Sequence, residues 1–140
     1  MKNLQLIIFL VSLLISTGSV WAGFDEAQAA YDRGDYAVAF KEWEPLATQG
    51  DSKAQFALGK IYLMGYGVRR DAYKASDWFL KAAEQGHADA QFYLGKMYEK
   101  GGYILEAMPW YRKAAEQGHV GAQKMLPTLY PTPYEYQPAW

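Results

Sequence analysis

Few side chains in this 140-residue chain are of the types that do chemistry. There is no cysteine, which excludes thiolate nucleophiles, thiolate zinc sites, iron–sulfur clusters and disulfides together. His87 and His119 are the two imidazoles, and each follows a glycine, Gly86 and Gly118. A shared metal would require them to meet, but they stand a whole repeat apart, so both read as solvated turn residues between repeats. The carboxylates Glu84 and Glu116 recur at one place in a repeated block, whereas an active site needs one constellation rather than a copy per unit. No HExxH pair, phosphate-binding glycine loop or dinucleotide fingerprint is present. The chain is therefore expected not to be an enzyme and to carry no cofactor and no metal.

The elements that must position any binding residues come from internal duplication. Ala54-Gln55-Phe56-Ala57-Leu58-Gly59-Lys60-Ile61-Tyr62 matches Ala90-Gln91-Phe92-Tyr93-Leu94-Gly95-Lys96-Met97-Tyr98. A second block, 75–87, matches 107–119, and the copies differ in length only between the blocks. A degenerate copy precedes them, with Trp43 at the place of Phe79 and Tyr111, and a truncated copy follows with Ala122-Gln123 and Leu126. Each unit reads as two helices. Asp51 and Asp71 are suited to cap helix starts, Ala54, Leu58 and Tyr62 recur on one helical face, and Gly86 is placed as a left-handed stop. The seven expected helices run over about 25–33, 36–49, 52–64, 72–85, 88–100, 104–117 and 120–130. Gly59 and Gly95 weaken their helices, so each is expected where a partner helix approaches closely. Pro109 is expected to kink or shorten the sixth helix. The repeat-locked aromatics Trp43, Trp78, Phe79, Trp110 and Tyr111 are expected in the core.

The pattern Ala54-x3-Leu58-Gly59-x2-Tyr62-x2-Gly65-x-Gly67-Val68-x2-Asp71-x3-Ala75-x2-Trp78-Phe79-x-Lys81-Ala82-Ala83-x-Gln85-Gly86 resembles the Sel1-like repeat family, related to the tetratricopeptide solenoids. The copy at 87–118 keeps both ends of the pattern but has Gly101-Gly102-Tyr103 in place of the Gly-Val-x2-Asp loop. The resemblance covers roughly 25–130. It implies an all-α fold, an α/α superhelical solenoid of about three stacked helix pairs, with units at about 25–50, 51–86 and 87–118, a truncated unit at 119–130 and an extended proline- and tyrosine-rich tail at 131–140. The tail is expected to pack along the last helix. In the related solenoids the first helix of each pair lines the concave groove. Carried over residue by residue, that places Lys53, Phe56, Lys60, Leu63, Asp89, Phe92, Lys96, Glu99 and Lys124 on a partner-binding face. Cysteine-rich relatives in the wider family are credited with β-lactam hydrolysis, but the cysteine pairs they carry are missing here.

The remaining expectations concern place and partner. Lys2, an apolar run from Leu4 to Ile15 and the Val20-Trp21-Ala22 stretch read as a cleavable export signal, cut after Ala22. That apolar run, about 12 residues, falls short of the ~20 that span a bilayer as a helix. The processed product is expected in the periplasm or outside the cell, with no stable membrane span. The 14 basic and 15 acidic side chains of the full 140-residue chain argue against a nucleic-acid surface, which needs a basic excess. The expected function is a protein–protein interaction module of the envelope, an adaptor or immunity-type partner, binding another protein or an acidic peptide and able to form a homodimer through an uncapped end. The alternative is a glycan-binding module using exposed Tyr66, Tyr73, Tyr103, Tyr134 and Tyr136; a hydrolase of the β-lactamase type comes last.

Overall fold

The computed structural model describes residues 23–129, which hold seven helices and no strand. The expected signal at 1–22, the tail at 131–140 and the end of the last helix at residue 130 lie outside the described residues. The helices are α1 (23–32), α2 (Tyr36–Thr48), α3 (Ser52–Met64), α4 (Ala72–Glu84), α5 (Ala88–Lys100), α6 (Ile104–Glu116) and α7 (Val120–Leu129). The expected bounds agree to within one or two residues throughout the described chain. Two compact units divide it, the first ending at Trp78 and the second beginning at Phe79.

In the first unit, α1 buries Ala27 and Ala30, α2 buries Ala39, Trp43, Leu46 and Ala47, and α3 buries Ala54, Ala57, Leu58 and Ile61. The spacing explains the elements: each set recurs at three or four residues, so one stripe of each helix faces inward. The α3 stripe ends on Ile61 rather than on the expected Tyr62, which is half-buried and meets Phe40 edge-on at 5.7 Å. Alanine dominates the stripes, and the bulk is supplied by Trp43, which is 1% exposed and packs against Phe24 and Tyr31. Asp51 caps α3 as expected, its carboxylate accepting from the Ala54 amide at 2.8 Å. Asp71 caps α4, accepting from the Lys74 amide at 3.0 Å.

In the second unit, α5, α6 and α7 pack in sequence. Tyr111 is fully buried at the place that Trp43 holds in the first unit, and Phe79 is fully buried at its own copy of that place. Gly95 on α5 meets the Tyr111 ring, where an added Cβ would stand 2.9 Å from Cδ1 and Cε1. The close approach expected of this glycine is therefore met by a tyrosine ring. Gly86 stops α4 at φ 89°, in the left-handed region that glycine adopts without a Cβ clash, and the next amide, of His87, returns to the Ala82 carbonyl at 3.1 Å.

Two expectations need correction here. Pro109 does not shorten its helix: α6 has 13 residues, as α4 does. The proline sits on an exposed face, and one missing amide donor is tolerated where the rest of the helix is held by packing. Trp78 and Trp110 are half-buried rather than core residues, because each precedes the inward-facing ring, Phe79 or Tyr111, by one position and so lies about 100° round the helix from it. The Trp110 ring is instead covered by the Lys113 ammonium, 4.5 Å from its centroid.

Candidate functional site

The repeated Ala-Gln pairs set the position of each first helix. Gln55 donates to the Ala47 carbonyl at 3.1 Å, Gln91 to the Ala83 carbonyl at 3.1 Å and Gln123 to the Ala115 carbonyl at 3.2 Å. Each of these acceptors lies in the last turn of the preceding helix, where carbonyls have no intrahelical donor. Gln55 and Gln91 are buried, so their amides are obliged to find partners. Gln91 also accepts from Gln117 at 2.8 Å. The sequence marked these glutamines only as part of the duplicated block; their recurrence directly after the buried alanine was the signal of a shared role.

The histidines depart from their expected role. His87 Nδ1 accepts from the Ala90 amide at 3.3 Å and His119 Nδ1 from the Ala122 amide at 3.1 Å. They cap α5 and α7 as Asp51 caps α3, and they are not simply solvated turn residues. Accepting at Nδ1 places the His119 proton on Nε2, which faces the Asp89 carboxylate at 3.2 Å. Among the described residues no three histidine or acidic side chains gather into a metal site.

The face expected to bind a partner falls on α3 in the first unit and on α5 and α7 in the second. On α3, Lys53 is exposed, and Phe56, Lys60 and Leu63 are half-buried. The Lys60 ammonium lies 5.1 Å from the Tyr31 ring and 5.5 Å from the Phe56 ring. Tyr31 and Tyr36 flank this group at 5.2 Å from one another. On α5, the Lys96 ammonium lies 5.6 Å from the Phe92 ring and 5.8 Å from Tyr93. Phe92 stacks on His119 at 4.3 Å, and Lys124 of α7 is exposed.

Both acidic residues of this face already have partners inside the second unit. Asp89 pairs with His119, and Glu99 accepts a hydrogen bond from the Tyr111 hydroxyl. The Tyr111 phenol is held well above its ordinary range, first by burial, then by the hydrogen bond to Glu99 and by that carboxylate's charge. Tyr111 therefore stays protonated in the folded chain at pH values where a free tyrosine ionises. The sign follows: the stability it contributes is fully present below pH about 10 and is lost as the pH rises beyond it, because only the unfolded chain releases the proton there. Tyr111→Phe should cost about 1.5 kcal/mol at pH 7. In urea titrations at a series of pH values, the gap between the two proteins should narrow above pH about 10.

Of the tyrosines expected to be exposed, Tyr73 is 88% exposed and Tyr103 59%. Tyr66 is a correction: it is half-buried and stacks on Tyr36 at 4.5 Å with 15° between the planes. Tyr134 and Tyr136 lie outside the described residues. Among the described residues no helix is long and apolar enough to cross a membrane.

The family model for the Sel1 repeat matches residues 52–87 and 88–119. A solved structure of a Sel1 repeat protein from Oxalobacter formigenes is 40% identical, with a TM-score of 0.72 over 76% of this chain and 45% of that one. A protective antigen present in uropathogenic Escherichia coli strains and displaying an SLR fold is 35% identical, with a TM-score of 0.75 over 86% of this chain and 28% of that one. The chain thus spans less than half the length of these two proteins. The comparison with curated proteins gave no match. Two matched repeats, the helix pairs and these structural likenesses agree: the chain belongs to the Sel1-like repeat family, and its helix pairs are a protein–protein interaction fold.

Proposed function

We propose that this chain is an exported interaction module of the cell envelope, an adaptor or immunity-type partner that takes acidic segments of another protein on the α3 face of the first unit and, as a separate site, on the α5 face of the second. The observation that carries the reading is that Lys60 and Lys96 are each set over aromatic rings, while Asp89 and Glu99 have acceptor oxygens engaged within the second unit. A lysine over a ring keeps its stem packed while its head still has donors for a carboxylate. Phe56 and Phe92 supply the apolar contact beside it. Binding by complementarity of charge and surface needs no covalent step. The export signal read at 1–22 supports a place outside the cytoplasm, and the likeness to a protective antigen fits that reading.

Replacing Lys60 and Lys96 together by glutamine tests the reading. Capture of the partner should weaken about tenfold, since each lost charge contact is worth roughly 0.5–1 kcal/mol. The helical circular dichroism should be retained. A glycan-binding role is the second reading, favoured by the exposed Tyr73 and Tyr103 rings. It is separated from the first by sedimentation of the protein with isolated cell-wall glycan.

A further inference from the structure

The connection from α3 to α4 in the first unit forms an open cavity of about 690 Å³, and Tyr62, Arg69, Arg70, Asp71, Tyr73 and Lys74 line most of it. Three of these six are cations and one is an anion, in a chain whose overall charge is −1. The anion is engaged, since the Asp71 carboxylate accepts from the Lys74 amide at 3.0 Å. Arg70 is anchored by its Nε, which donates to the Leu63 carbonyl at 3.0 Å. That bond fixes the guanidinium in place and leaves its other N–H groups to face a ligand. The Lys74 ammonium is held over the Tyr62 ring at 5.3 Å. Tyr73 is 88% exposed, a large ring with most of its surface in water.

The repeat does not require this set. Arg69 and Arg70 occupy the two unspecified positions of the Gly-Val-x2-Asp stretch, and the second copy has Gly101-Gly102-Tyr103 where the first has this loop. The constellation occurs once, so the packing of the repeat does not account for it. The cavity is open, so water reaches a small ion in it and screens each contact. Useful affinity there requires several contacts spread along an extended ligand.

We propose that this cavity binds an acidic peptide segment of a protein partner. Arg70 takes one carboxylate in its planar fork, Arg69 and Lys74 meet the next, and Tyr73 covers an adjacent apolar or aromatic side chain. The site rests on the reading of the chain as a protein-binding module; none of its lining residues is assigned to the α3 and α5 faces, and it touches that set through the Leu63 carbonyl that holds Arg70.

The test is fluorescence anisotropy of the whole chain with a dye-labelled peptide of alternating glutamate and tyrosine. It compares wild type, an Arg69→Gln/Lys74→Gln double variant and the Lys60→Gln/Lys96→Gln double variant. Arg70 is left in place because of its bond to Leu63. The cavity variant should bind about fivefold more weakly at an unchanged melting temperature, as expected for two lost exposed charge contacts. Loss of binding in the cavity variant supports the proposal even where the lysine variant binds normally, a result that would count only against the α3 and α5 faces. Equal binding by wild type and cavity variant overturns the proposal and leaves the other faces untouched. No binding by wild type overturns it too. It is likewise overturned if inorganic phosphate or an oligogalacturonate binds in an Arg69-dependent way and the peptide does not.

Discussion

Replacing Trp43 by alanine should destabilise the first unit by about 3–5 kcal/mol, the range for removing a large aromatic from a packed core. The indole is 1% exposed and holds together a core whose other members are mostly alanines, with Leu46, Leu58 and Ile61 the larger aliphatics. Alanines have no side-chain length with which to collapse into the space, so the cavity term is expected near its upper end. Phe24 and Tyr31, both packed on Trp43, would lose their contact at the same time. Trp43→Phe should cost far less. The indole Nε1 has no hydrogen-bond partner among the described residues, so exchange for a phenyl ring removes an unsatisfied donor along with some packing. Urea titration followed by far-ultraviolet circular dichroism measures both variants. Equal midpoints for wild type and Trp43→Ala would show that the core is not built around this ring.

The second large effect is expected at Gly95. Valine there should destabilise the second unit by about 3 kcal/mol, the upper part of the usual overpacking range. A first added carbon already stands 2.9 Å from two Tyr111 ring atoms, and Tyr111 has little freedom to yield. The ring is fully buried and its hydroxyl is tied to Glu99. Gly95→Ala should also destabilise, though by less. On an exposed helix face the same change would stabilise by about 1 kcal/mol, so the sign of the effect distinguishes close packing from mere propensity. Melting temperatures of the two variants decide it: both should fall, valine further than alanine.

The duplicated blocks made most of this fold legible. Spacing and capping chemistry located the helix bounds, the Asp51 and Asp71 caps, the Gly86 stop and the shared place of Trp43, Phe79 and Tyr111, since these follow from local pattern and repeat register. The close approach at Gly95 was also readable, because a glycine kept in a helix at a cost in propensity calls for a steric reason. What was not legible turned on an unusual residue type at a known place, on a contact between copies, or on the direction of a side chain around its helix. His87 and His119 stand at the repeat offsets from Asp51, and that register was the available sign of capping; imidazole is an uncommon cap, so residue type pointed elsewhere. Tyr66 read as exposed because its partner, Tyr36, belongs to the degenerate first copy, where register is weakest. Trp78 and Trp110 share the repeat pattern with Phe79 and Tyr111, and only the direction of each side chain around the helix separates a core residue from a half-buried neighbour.

The partner-binding face was placed from the resemblance, residue by residue. Its electrostatic character came from contacts that no spacing rule gives. Asp89 and Glu99 read as acidic members of the face, yet each is engaged within the second unit by His119 or Tyr111. That engagement occupies carboxylate oxygens without removing their charge, and the proposal of an acidic partner rests on the four lysines of the set, Lys53, Lys60, Lys96 and Lys124, outnumbering its two carboxylates.

The measurement that bears most directly on this account is the affinity of the chain for a captured protein partner across a salt series, for wild type beside Lys60→Gln/Lys96→Gln. Wild-type binding should weaken steeply with salt, and the double variant should bind about tenfold more weakly at low salt with a flatter dependence. Superimposable salt curves for the two proteins would contradict the claim that these lysines grip the partner.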